Sequence, residues 1–248
     1  MIQLHLVNKN DEHNNKYKEC ISNTNLPIGI KMYTKLFSED QLDNIENIIN
    51  NYYGWNFKQE KKHHHFPEYK FIDGIKNISY GMCAREPVTG ICKLCNCHMN
   101  INTINNLPIP NWIQNIIIKK LVNNGIIPNG WANCATIIMY KDPTLKAHFD
   151  SPHVFDLPIV TLRLFSKTIL SIDSSKKYID NGNLLQKRGY VTLLSGDAAT
   201  KWDHAINKYE NDFAVSIVIR RIHPELVGEN WMKENCKFFT NTQNTKRI

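Results

Sequence analysis

The chain has 248 residues, 30 Lys and Arg against 23 Asp and Glu, a net charge of +7, and 7 cysteines. That length suits one domain, or a catalytic domain with a modest N-terminal addition. No apolar run reaches membrane-spanning length and the start Met1-Ile-Gln-Leu-His-Leu lacks the features of a secretion signal, so the expectation is an intracellular monomer, nuclear or cytoplasmic, with no membrane partner. An odd number of irregularly spaced cysteines argues against a disulfide scaffold. The basic balance suits nucleic acid as partner, and equally an ordinary solvated surface.

Residues 1–30 read as a flexible arm, polar up to Leu26 and rich in amides from Asn8 to Tyr17. Residues 31–130 hold the N-terminal helices. Ser38-Glu-Asp-Gln41 has the form of a capping box, and Leu42, Ile45, Ile48, Ile49 and Tyr52 follow at helical spacing, which predicts an amphipathic helix. His63-His-His65, after Lys61 and Lys62, reads as a solvated loop. Cys83, Cys92, Cys95, Cys97 and His98 cluster around one C-x-x-C step; they suit a structural tetrahedral Zn(II) site, or stand as free intracellular thiols. A second helix is predicted from Pro110, harmless in a first turn, to Asn124-Gly125, with Trp112, Ile116, Ile117 and Leu121 on its buried face.

Residues 131–225 change character. Short apolar or alternating runs at Ala135–Tyr140, Ile159–Phe165, Thr168–Ile172, Gly189–Leu194 and Phe213–Ile222 are separated by turn residues. They predict an α+β protein with a mainly β core, a double-sheet jelly roll with the helices packed outside. Ser195-Gly196-Asp197 reads as a turn delivering the chain toward His204, and residues 226–248 as a C-terminal tail.

His148-Phe149-Asp150 and the distant His204 are the chemically pointed residues of this core. Two imidazoles and one carboxylate, with coordination positions left open, make the facial triad that holds non-haem Fe(II) for oxygen chemistry. H-x-D alone is equally the pattern of a surface histidine and a capping aspartate.

The context of the pattern decides between them. Ala147 to Thr161, Gly189 to Ala199, Trp202-Asp-His204 and Val215 to Arg221 occur in that order, after Ile109-Pro-Asn-Trp-Ile113, Lys119-Lys-Leu-Val122 and Ile126-Ile-Pro-Asn-Gly130. This arrangement, from about Asn77 to Arg221, resembles the AlkB family of Fe(II)- and 2-oxoglutarate-dependent dioxygenases, most closely its RNA N6-methyladenine demethylase branch. The resemblance implies Fe(II), 2-oxoglutarate and O2 as cofactors and single-stranded methylated RNA as partner. His148, Asp150 and His204 match the metal ligands. Tyr140 matches a tyrosine that hydrogen-bonds the cosubstrate, and Arg220 the second arginine of the family's R-x-x-x-x-x-R.

Two positions depart from the family. Ile138 stands where an Asn is usual, and Ala214 replaces the first arginine of the pair, which normally binds the distal carboxylate of 2-oxoglutarate. Ile159, Thr161 and Arg163 share one strand face by period two, in a region that lines the cosubstrate pocket in the family. The expectation is that Arg163 takes over the lost contact, helped by Ser216 and Tyr140; the alternative turns Arg163 outward or pairs it with a buried carboxylate, in a protein that no longer uses the cosubstrate.

Asn77-Ile-Ser-Tyr-Gly-Met82 resembles the start of the family's nucleotide-recognition lid, which makes Tyr80, Arg85 and Lys76 candidate base or phosphate contacts and His153 a substrate-side group. The cysteine pair that ties a loop in the demethylase branch is matched by Ser174 and Ala205, so that crosslink is absent. Three functions remain open: demethylation of N6-methyladenine in RNA, demethylation of another base or of DNA, and catalytically silent nucleic-acid binding.

Overall fold

The computed structural model of the chain describes residues 26–53, 75–82, 84–85, 90–91, 98–99, 102–103, 108–140, 145–150, 152, 154–173, 182–208 and 213–223. Its strands in chain order are β1 (Ile30–Tyr33), β2 (Ile75–Gly81), β3 (Ala84–Arg85), β4 (Gly90–Ile91), β5 (His98–Met99), β6 (Asn102–Thr103), β7 (Cys134–Tyr140), β8 (Leu145–His148), β9 (Phe155–Leu164), β10 (Thr168–Asp173), β11 (Gly182–Gln186), β12 (Val191–Leu194), β13 (Asp203–Lys208) and β14 (Ala214–Ile222). A six-stranded sheet runs β1-β12-β9-β14-β7-β2 and a four-stranded sheet β11-β10-β13-β8. Every pairing among them is antiparallel. β3 pairs with β6 and β4 with β5 as separate short ribbons.

Period-two alternation sorts each long strand into two cores. Val160, Leu162 and Leu164 of β9, Val215, Ile217 and Ile219 of β14, and Ala135, Ile137 and Met139 of β7 pack on the helix side of the large sheet. The alternate residues Ile159, Ala214, Val218 and Tyr140 meet Leu170, Ile172, Leu184 and Ile206 of the small sheet in a second core between the sheets. The jelly roll expected from the sequence is the observed architecture. β1, placed by its sequence at the edge of a flexible arm, instead adds a strand beside β12, with Ile30 and Met32 buried.

Helix α1 (Glu39–Tyr53) begins with the expected capping box. Ser38 Oγ accepts from the Gln41 N–H at 3.3 Å and Gln41 Oε1 accepts from the Ser38 N–H at 3.1 Å. Leu42, Ile45 and Ile49 fill the outer core and Ile48 is half-buried. The second helix contains a π-helical stretch, Ile113–Ile118, continuing into α2 (Lys119–Asn123). The wider π turn puts Ile113, Ile117 and Leu121, at spacing four, on the buried face, so Trp112 and Ile116 flank the core instead of forming it. Ser195-Gly196-Asp197 opens the short helix α3 (Gly196–Thr200) where a turn was expected, with Ser195 Oγ bonded to Gly29 O at 3.0 Å.

One polar clamp joins α1 to the sheet. Arg188 meets Glu39, Asp43 and Glu46 of α1, and Glu46 Oε1 also accepts from the N–H of Phe165, whose φ is +65°. Glu46 is the partner that matters, because Glu39 and Asp43 are exposed ends of a solvated cluster. Glu46→Ala leaves the Phe165 N–H and part of Arg188 without acceptors and should cost about 2 kcal/mol. Glu39→Ala should cost only a few tenths. Paired denaturant titrations check the contrast, and equal costs would contradict it.

Candidate active site

The metal-site candidates converge on the four-stranded sheet. His148 ends β8 and lies directly opposite His204 of the adjacent β13. Their ring centroids are 4.4 Å apart. Asp150, two residues beyond β8, is buried and brings Oδ2 to 3.6 Å from His204 Nε2. Phe149 between them points the other way and is 51% exposed, as alternation along an extended segment requires. The register shift between His204 and Ile206 sits beside this cluster, a common place for a bulge to aim a side chain.

Protonation suits metal ligation. His148 Nδ1 lies 2.8 Å from the carbonyl oxygen of Lys146; a carbonyl only accepts, so Nδ1 carries the proton and Nε2 keeps its lone pair for a metal. Burial, with His148 close by and Arg220 adding its charge, pushes His204 down to about 4 against the opposing pull of Asp150. It is therefore a neutral imidazole near pH 7. Asp150 Oδ2 and His204 Nδ1 are buried without a hydrogen-bond partner.

Among the described residues no three His, Cys, Asp or Glu side chains already stand in a finished coordination shell. The triad is a set of neighbours that a metal would draw together, and its donor set and its orphaned oxygen fit Fe(II). Arg220 Nη2 lies 3.5 Å from Asp150 Oδ1, with its guanidinium 4.9 Å from the Phe155 ring. Arg220 thus sets a positive charge beside the Asp150 carboxylate.

A cavity of about 450 Å3, its open mouth included, lies between the sheets and has His148, Asp150, His204 and Arg220 among its lining. Tyr140 and Ser216 line it too, with Ser216 Oγ 3.4 Å from the Tyr140 hydroxyl. Arg163 shares its strand face with Ile159 and Thr161, as period two predicts, and is buried. Burial pulls its pKa down to about 10; it remains charged at neutral pH. Ile138 lines the cavity with hydrocarbon only, and Ala214 is fully buried.

Gln186 and Thr192 were not singled out in the sequence, yet both line the cavity. Gln186 Oε1 accepts from Arg163 Nη2 at 2.8 Å, and Gln186 Nε2 donates to Thr192 Oγ1 at 2.9 Å. The signal available was the alternation Gly182, Leu184, Gln186, hidden because 182–186 was not read as a strand.

Tyr80 requires a correction. It lies on β2 opposite Ala135 and is 3% exposed in the core beneath the helices, so it presents no ring to a base from solvent. Lys76 and Arg85 are placed by backbone only, on β2 and β3. His153 and Ser174 lie outside the described residues, as do Cys83, Cys92, Cys95 and Cys97 of the expected zinc cluster; His98 is placed by backbone on β5.

Fold and cluster together define a double-stranded β-helix with a His-x-Asp…His site between its sheets. The chain is similar in sequence to curated AlkB homologues. It is 32% identical over 120 residues to the RNA demethylase ALKBH5 of Mus musculus, covering 46% of this chain and 30% of that protein. It is 33% identical over 120 residues to the RNA demethylase ALKBH5 of Xenopus laevis, covering 46% of this chain and 33% of that one. The match thus spans about a third of the length of these curated relatives. Among solved structures, OsALKBH1 superposes with a TM-score of 0.51 at 12% identity over 79% of this chain and 99% of that chain, a likeness of fold alone. No protein-family model matches the chain. Among the described residues no helix is long and apolar enough to cross a membrane.

Proposed function

We propose that the chain is an oxidative nucleobase demethylase that uses Fe(II), O2 and 2-oxoglutarate, acting on N6-methyladenine in single-stranded RNA. The observation that carries the reading is the convergence of His148, Asp150 and His204 at one cavity, with a neutral His204 imidazole and a carboxylate oxygen left without a partner. Similarity over 120 residues to curated RNA demethylases supports RNA as the substrate class. Iron bound there supplies the oxidising chemistry: 2-oxoglutarate and O2 yield succinate and CO2, one oxygen atom enters a methyl C–H bond, and the hydroxymethyl product releases formaldehyde.

The protein's own part is binding and orientation. His148 keeps Nε2 free by donating Nδ1–H to Lys146 O. Arg220 sets its positive charge beside Asp150. The Tyr140 and Ser216 hydroxyls offer hydrogen bonds to a ligand beside an apolar wall of Ile159, Leu170, Ile206 and Val218, where the lower local dielectric strengthens polar contacts. The methylated base must be out of its stack to reach the cleft, which favours a single strand.

Ala214 and Ile138 motivate the competing reading, a nucleic-acid binder that has lost its cosubstrate. Protein loaded anaerobically with Fe(II) and then given O2 and 2-oxoglutarate should form succinate and formaldehyde faster with an N6-methyladenine RNA oligonucleotide than with the unmethylated one. No succinate from protein with stoichiometric iron would favour the binder. Turnover stimulated only by a different methylated base, or only by DNA, would move the substrate and keep the enzyme.

A further inference from the structure

Among the described residues Arg163 is a buried charge without a counter-charge. It is 1% exposed, and its Nε and Nη1 are buried with no hydrogen-bond partner. Gln186 is an amide and accepts at Nη2 only. Among the described residues no carboxylate forms a salt bridge with it. An interior guanidinium with two idle donor groups is costly unless an anion meets it. The outward-turned alternative is therefore not what this fold does with Arg163, and among the described residues no carboxylate pairs with it.

Where the guanidinium ends is informative. Arg163 on β9 is in register with Ser216 on β14, and Ala214, two residues before Ser216, is in register with Tyr140. The Arg163 guanidinium carbon lies 5.4 Å from the centre of the Tyr140 ring. A side chain rooted one strand over and one row along thus delivers its charge to the row that begins at Ala214. Its root is firm, because the Arg163 N–H and carbonyl both pair with the backbone of the turn at Tyr190 and Gly189. Gln186 is held in turn by Thr192, which fixes its amide with the oxygen toward Arg163.

We infer that Arg163 receives the distal carboxylate of the dicarboxylate cosubstrate, replacing from β9 the arginine that AlkB-like proteins carry at position 214, with Gln186 as its positioning residue. This rests on the function proposed above. Its geometry suits a ligand with two acidic ends: Ile172 is opposite His204 and Thr168 opposite Gln186, which separates the metal end from the Gln186 end by roughly 13 Å of strand. Tyr140, Gln186 and Ser216 share the cavity with the metal triad. An oxo acid that loses its distal carboxylate keeps the metal end of such a contact and forfeits the other.

The test compares 2-oxoglutarate with 2-oxopentanoate, which lacks the distal carboxylate, by calorimetry on the full chain loaded with Mn(II) under argon. Wild type should prefer 2-oxoglutarate by roughly 100-fold or more, the scale of a desolvated carboxylate–arginine contact. Arg163→Met, which keeps an unbranched apolar stem and removes the charge, should erase the preference while leaving 2-oxopentanoate binding and Mn(II) stoichiometry as they were. The double variant Arg163→Ala, Ala214→Arg should recover at least tenfold of it, which a merely structural arginine would not allow. Gln186→Leu should weaken the preference less than Arg163→Met does.

Undiminished preference in Arg163→Met would overturn the inference, even in a protein that demethylates RNA. An Arg163-dependent preference in a protein that demethylates nothing would refute the proposed substrate and leave the cosubstrate site standing. Wild type that shows no preference with Mn(II) bound would remove this inference directly.

Discussion

Asp150→Asn is expected to lower Fe(II)-dependent succinate formation by ~10³-fold or more and to weaken Mn(II) binding by at least ~100-fold, since loss of mere supporting groups around a metal already costs 10–100-fold. The substitution keeps the size of the side chain and removes its charge, so the loss reads ligand chemistry and not packing. Two features raise the cost. Asp150 is the carboxylate of the cluster, buried beside His204 with Oδ2 unpartnered, and its other oxygen faces Arg220 at 3.5 Å. An amide there gives the metal a poor donor and leaves Arg220 with a neutral neighbour. The metal-free variant should still fold with unchanged far-ultraviolet circular dichroism, because the neighbouring strands are held by ladders that Asp150 does not join. Full metal occupancy and wild-type succinate formation in the variant would end the assignment of this cluster as the oxidative centre.

What the sequence disclosed about this centre depended on local pattern. His148 and Asp150 were legible because H-x-D sits on an extended segment, and His204 because Trp202-Asp-His204 fits the order of motifs in the resemblance. The large-sheet strands were legible because they are buried on both faces and read as apolar runs, such as Val215 to Ile219. The capping box at Ser38 was legible because every atom it needs lies within four residues. These are short-range rules.

The parts that stayed hidden depend on contacts far along the chain. β11 and β13 are short and mixed in polarity, Gly-Asn-Leu-Leu-Gln and Asp-His-Ala-Ile-Asn-Lys, and become strands because β10 lies between them. With β11 unseen, Gln186 had no face and its contact with Arg163 could not be expected. Tyr80 looked like a recognition residue because Asn77 to Met82 resembles the start of the family's nucleotide-recognition lid, whereas β7 draws that segment into the sheet and buries the ring under the helices. For Arg163 the period-two pattern gave the correct face, but only the register with Ser216 and the distance to Tyr140 show where its charge arrives.

The same burial that readies His204 for a metal makes the metal-free protein sensitive to acid. The ordinary histidine value is 6.5, and in the fold His204 is pushed down to about 4, by burial first and then by His148 and Arg220. Between those values the unfolded chain binds a proton that the folded chain refuses, so stability must fall as pH falls. The contribution is fully present above about pH 6.5, drains away through the window, and levels off below about pH 4; its size is about 3 kcal/mol. For a chain of this length that corresponds to a Tm lower by roughly 6–12 °C at the acid end. Carboxylates titrate in the lower part of the window too, so the diagnostic quantity is the difference between wild type and His204→Gln, which has no proton to take up. The variant's Tm should decline less by that amount between pH 7 and pH 4. Saturating Mn(II) should protect wild type over the upper part of the window and the variant far less, because a neutral imidazole is the form that binds metal. Parallel pH profiles for the two proteins would show that His204 is solvated and free to protonate, and that the cleft is wetter than its packing implies.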